Sequence, residues 1–204
     1  MTAAFDTFLK QYHATGSEKA DGYSRDAFTG LTPQEQEEVF RLLATELPWS
    51  VDWLFVVDAE RALPLVQEAE RTGRNDPYGH THKLQAAIVN QTGDLAYQHR
   101  MIEDYAACDE RMKKLVVDAV NRTPANAVTI GFFKKLILTE TNEDAVARAS
   151  RHWLDALDVA NATPDERVAY DRLLDDLRSG DTPTKLRAIA RAERAARSAR
   201  RNAG

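Results

Sequence analysis

The chain has 204 residues, 43% of them apolar and 29% charged, with a net charge of −5; this excludes a disordered or collagen-like composition and fits one large folded domain or an elongated repeat array. The lone cysteine, Cys108, excludes an internal disulfide and agrees with a reducing compartment. No run is long and apolar enough for a membrane span, and the start MTAAFDTFLK lacks the basic head and apolar core of a secretory signal, so a cytoplasmic protein with no membrane partner is expected.

Helical punctuation runs the length of the chain. Phe5, Phe8, Leu9 and Tyr12 share one helix face within an N-terminal cap region, 1–31. Thr32-Pro33-Gln34-Glu35 reads as a capping box with proline in the first turn, followed by the apolar face Val39, Phe40, Leu42, Leu43 and Leu47. Pro48 ends that helix. In the next segment, PWSVDWLFVVDAER, Ser50 is the expected cap. Trp49 and Trp53 are four apart and would share a helix face, with Asp52 beside them. Trp53 is expected in the core and Trp49 partly exposed, where tryptophan is enriched at binding hot spots. Pro64 starts or kinks a helix.

The stretch NDPYGHTHK raises the question of a metal site. With Asp76 as cap and Pro77 as first helical residue, His80 and His82 fall in the first two turns. Two residues on a helix are about 200° apart, so they would point to opposite sides; chelating pairs use i, i+3 or i, i+4 spacing. One histidine against a neighbouring helix and one solvated, with Tyr78 at the same helix start, is the preferred reading, and no metal or cofactor is expected. Further on, Leu115, Val116, Val120 and then Phe132, Phe133, Leu136 and Ile137 continue the helical pattern. Trp153, Leu154 and Leu157 read as core, and Thr163-Pro164-Asp165-Glu166 is a second capping box. Glycines 16, 30, 73, 93 and 180 stand where helices should stop.

Five of the seven prolines follow a capping residue, at 33, 77, 124, 164 and 183. The first four are 44, 47 and 40 residues apart. That period, with two or three helices per unit, resembles HEAT and armadillo repeats over roughly Thr32 to Gly180. The resemblance implies a short right-handed α-solenoid of antiparallel helix pairs; an irregular helical bundle is the alternative. The expected organisation is one helical domain over 1–181 and a basic helical tail over 182–204. The tail holds seven basic residues (Lys185, Arg187, Arg191, Arg194, Arg197, Arg200, Arg201) against Glu193, so it carries +6 and the rest of the chain −11.

Motifs for chemistry are sparse. There is no G-x-S-x-G, no phosphate-binding Gly-Lys-Ser loop and no G-x-G-x-x-G. Cys108 is flanked by Asp109 and Glu110, which disfavour a thiolate. Asp155 with Asp158, and Asp171 with Asp175, have dyad spacing, yet nearby arginines make solvated salt-bridge faces the simpler reading. The expectation is therefore a non-catalytic protein-binding module, with Trp49, Asp52, Trp53, Tyr78, His80 and His82 as partner-binding residues. An acidic body suits a basic protein partner and disfavours nucleic acid except through the tail. A bacterial immunity protein that blocks a basic toxin is one concrete form, by analogy of size and charge. The alternatives are a HEAT-like DNA-repair glycosylase, whose resemblance rests on two tryptophans and an aspartate, and an assembly factor whose tail touches nucleic acid.

Overall fold

Thr32 starts a helix as its sequence predicts. Its hydroxyl accepts the Glu35 N–H, the Glu35 carboxylate accepts the Thr32 N–H at 2.9 Å, and Pro33 opens the helix. Thr163 and Glu166 repeat this arrangement. The other three proline pairs depart from the pattern. Asp76 caps a turn instead, its Oδ1 accepting the Tyr78 N–H, and the next helix begins only at Thr81. The Thr123 hydroxyl donates to the Val120 carbonyl, while Asn126 caps the helix that follows. Ahead of Pro183, Asp181 rather than Thr182 accepts the first-turn N–H, from Thr184.

The computed structural model describes residues 1–20, 22–74 and 76–202, with side chains to Arg197; Asn75 and the side chains of Arg200 and Arg201 lie outside the described residues. Among the described residues the chain is all helical, without a strand. Its contacts divide it into two compact units, Met1–Tyr97 and Gln98–Gly204.

The first unit holds α1 (Ala3–Tyr12), the short α2 (Gly16–Ala20), a 3-10 turn (Arg25–Phe28), α3 (Pro33–Ala44), α4 (Val51–Gly73) and α5 (Thr81–Thr92). Phe8 sits at the centre of one core, stacked on Tyr12 and Tyr23 with centroids at 5.8 and 5.3 Å and edge-on to Phe28. Val39, Phe40 and Leu43 of α3 and Leu54 and Val57 of α4 close it. A second cluster joins Val51 and Val66 to Leu84, Ala87, Ile88 and Val89 of α5, and to Tyr97. α4 is broken at Asp58 (φ −159°, ψ 94°), ahead of Pro64, where the sequence had placed a start or kink. The cause is local: Asp58 Oδ1 accepts the Arg61 N–H and so caps the second half, while Gln36 Nε2 donates to the freed Val57 carbonyl.

α6 (Ala96–Asp104) carries the chain into the second unit, which contains α7 (Glu110–Asn121), α8 (Ala127–Thr139), α9 (Glu143–Ala156), α10 (Pro164–Arg178) and α11 (Thr182–Asn202). α9 packs against α7, α8 and α10, and α11 packs against α8 and α10. Trp153 and Leu154 lie in this core. The basic tail differs from the body in composition but not in packing. Ala188, Ile189, Ala192 and Ala196 of α11 are buried, and Lys185 Nζ donates to the Ile137 carbonyl at 2.7 Å, closing the end of α8. Lys134 pairs with Glu193 at 2.6 Å.

The division sorts the charge. The first unit has 8 basic and 15 acidic residues, a net −7; the second has 19 and 17, a net +2.

Candidate functional site

Trp49 lies in the turn between α3 and α4, with its N–H donating to the Glu46 carbonyl at 2.9 Å. It precedes α4, so it does not share a helix face with Trp53 as the spacing suggested. Ser50 does not cap α4 with its side chain; the buried hydroxyl donates to the Leu43 carbonyl and ties the turn to α3. The indole is 62% exposed. It is held by the His80 ring at 4.2 Å and by Lys83 Nζ at 4.5 Å from the ring centre.

His80 and His82 come together instead of diverging. Because α5 begins at Thr81, His80 is its N-cap residue with a non-helical ψ of 33°, and the helical rotation that would separate the pair does not apply. Their rings are 5.6 Å apart. His82 is buried and His80 half-buried, with His80 Nδ1 buried and lacking a hydrogen-bond partner. Burial holds the His80 imidazole below its ordinary pKa, and Lys83 adds to the effect. Among the described residues, no third His, Cys, Asp or Glu joins the pair in a metal-sized group.

The remaining sequence candidates scatter. Trp53 is half-buried, stacked on Phe28 at 4.7 Å and 10°, with Tyr23 edge-on at 6.2 Å. Tyr78 is exposed in the turn that Asp76 caps. Asp52 points to a separate shallow hollow between α4 and α5 with Phe55, Val56, Ala87, Asn90 and Gln91.

Trp49 and Trp53 do meet one open groove of about 970 Å³. Tyr23, Leu47, Lys19, Glu46 and Lys83 share its lining. None of these five stood among the residues expected to bind a partner, and Leu47 was expected only as part of an apolar helix face. Lys83 was visible beside His82, but Lys19 and Glu46 are 27 residues apart and only the fold pairs them, at 2.6 Å. Tyr23 donates to the other Glu46 oxygen at 2.5 Å; burial and then that carboxylate raise the pKa of its hydroxyl.

The chain matches no known family model, no curated protein and no solved structure.

Several polar groups of the second unit are tied into structural bonds. Asp155 accepts from the Tyr170 hydroxyl at 2.6 Å, and Asp158 stands beyond the end of α9 with φ 55°, so the two do not form a helical dyad. Asp118 bonds His152 and Arg148. Glu140 accepts from the Tyr105 hydroxyl, from Lys113 and from the N–H groups of Thr141 and Asn142. Burial, then Asp104, raises the Cys108 pKa, which favours the unreactive thiol. Among the described residues no helix is long and apolar enough to cross a membrane.

Proposed function

We propose that this protein is a non-catalytic binding module whose partner is a basic protein, engaged by the groove of the N-terminal unit. The observation that carries this reading is Trp49: a large aromatic residue, 62% exposed, in contact with His80 and Lys83 and lining a groove. An anchored, solvent-facing tryptophan has little conformational freedom left to lose on binding, which is the character of an interface hot spot. The net −7 of the same unit supports a basic partner, through attraction at a distance and rejection of acidic surfaces. Immunity to a basic toxin is the narrower form of the proposal, in a cytoplasmic setting. The helical-repeat reading belongs with it and rests on the proline period, in which Pro33 and Pro164 begin helices.

A tagged pull-down at moderate salt tests the proposal. Stoichiometric recovery of a basic protein by the native chain, lost with Trp49→Ala, is the expected result. If expression of that protein alone killed a host and this chain rescued it, the immunity form would follow. Nucleic acid retained through a salt wash, with no protein, would overturn the proposal and favour the glycosylase alternative.

A further inference from the structure

The groove of the N-terminal unit already holds a cation of its own. Lys19 Nζ lies 5.0 Å from the centre of the Tyr12 ring and 5.4 Å from that of Tyr23. It donates to a Glu46 carboxylate oxygen at 2.6 Å and to the Tyr12 carbonyl at 2.8 Å. Two aromatic faces, a carboxylate and a carbonyl are the components that hold an ammonium group. The walls of this cage are firmly placed. Both tyrosine rings stack on buried Phe8, and the Tyr23 hydroxyl orients the carboxylate.

The residue that fills the cage remains open to solvent on part of its surface. Lys19 belongs to the five-residue α2, which begins at left-handed Gly16 (φ 59°) and packs on α1. Lys19 and Glu46 are 37% and 21% exposed, and an ion pair with that much solvent stabilises little.

We propose that this cage is a recognition site for a lysine side chain of the basic protein partner, and that Lys19 fills it until the partner displaces it. The inference rests on the binding reading above and names its central contact. Exchange of one ammonium for another leaves the cage's hydrogen bonds and π contacts intact. The net gain then comes from the partner's surface covering Trp49 and Trp53 in the same groove. Charge selects the occupant: the Glu46 carboxylate, in a unit of net −7, suits a cationic side chain and repels an acidic one, while Lys83 lines the same groove beside Trp49.

The test uses n-butylammonium chloride, the lysine side chain without its backbone, titrated into full-length protein while the aromatic proton shifts of Tyr12 and Tyr23 are followed. n-Butanol at matched ionic strength is the neutral control. The Lys19→Ala protein should show saturable shifts with n-butylammonium and none with n-butanol. The native protein should bind about tenfold more weakly, as for a site open roughly one-tenth of the time. Adding Glu46→Gln to Lys19→Ala should abolish the response. Equal response to n-butanol, or no response in Lys19→Ala, would overturn the proposal. So would loss of the folded helical signal in Lys19→Ala, because Lys19 would then be a structural tether. No partner is present in this titration, so its failure is distinguishable from failure of the Trp49-dependent pull-down.

Discussion

The Trp49 indole rests 4.2 Å, centre to centre, from the imidazole of His80, across a turn and a helix cap 31 residues apart in sequence. The contact fixes the ring while leaving most of it in water. Trp49→Ala should therefore separate binding from folding. We expect partner affinity to fall about 30-fold, near the 2 kcal/mol expected of a hot spot, with folding stability changed by no more than about 1 kcal/mol. Binding calorimetry and denaturant melts of the same variant check both halves. A large stability loss with unchanged affinity would make Trp49 a packing residue.

His80 gives a pH dependence with a defined sign. Burial, helped by Lys83, lowers its folded-state pKa below the ordinary 6.5. The unfolded chain therefore binds the proton more readily, and the fold gains stability as pH rises through the window just below 6.5. That stability is fully present above the window and is lost as pH falls toward the folded-state value. Denaturant midpoints at about pH 7.5 and about pH 5.5 should differ less in His80→Gln than in the native protein. An unchanged difference would place the titrating group elsewhere.

The helical class was legible because its signals are local. Thr32 and Thr163 announced their helices through residues three positions away, and the Phe5-to-Tyr12 face needed only its own period. The same local logic failed at Asp76-Pro77, where the short side chain closed a turn on Tyr78 before the helix began. That four-residue displacement put His80 outside the helix and reversed the expected divergence of the two histidines. The groove was less legible still. Trp49 and Trp53 were singled out for their type, yet the groove partners Lys19, Tyr23 and Glu46 come from separate elements that the Phe8 core brings together.

Gln98 is a buried polar side chain with three hydrogen bonds in the second unit. It is fully buried, donates from Nε2 to the Thr123 hydroxyl at 2.6 Å and to the Pro124 carbonyl at 3.0 Å, and accepts from Asn126 Nδ2 at 2.7 Å. Asn126 in turn caps α8. Gln98→Ala should cost about 2–4 kcal/mol, from a cavity and from polar groups left unpaired. Gln98→Met, which retains most of the volume, should recover the cavity part only. Urea unfolding of both variants measures the two contributions.

Removal of residues 182–204 should do more than strip a basic appendage. It exposes the surfaces that bury Ala188, Ile189, Ala192 and Ala196, and it releases the Ile137 carbonyl from Lys185. The truncated protein should melt at a clearly lower temperature and expose apolar surface to a hydrophobic dye. Charge reversal at exposed Arg194 and Arg197, which have no ion-pair partner among the described residues, should leave the melting temperature nearly unchanged.

Glu35 joins two helix starts through one side chain. Besides closing its own capping box with Thr32, it accepts the Thr2 N–H at 2.7 Å and the Thr2 hydroxyl at 3.0 Å, while Thr2 caps α1. The bond from the Thr32 backbone, with those from Thr2, lowers its pKa from 4.5 to about 2. A depressed carboxylate contributes stability that is fully present above the unfolded-state value and lost as pH falls through the folded-state value. The acid limb of the stability curve should therefore run from about pH 4.5 down to about 2 in the native protein. Glu35→Gln should lower the melting temperature near neutral pH and flatten that limb, because the amide keeps the shape without the charge. Thr2→Ala should weaken the bridge to α1 while leaving the Thr32 cap intact, so its acid limb should be shifted only in part. Acid titrations followed by the helical signal distinguish the three proteins, and a Glu35→Gln curve parallel to the native one would rule out the carboxylate as the group that joins α1 to α3.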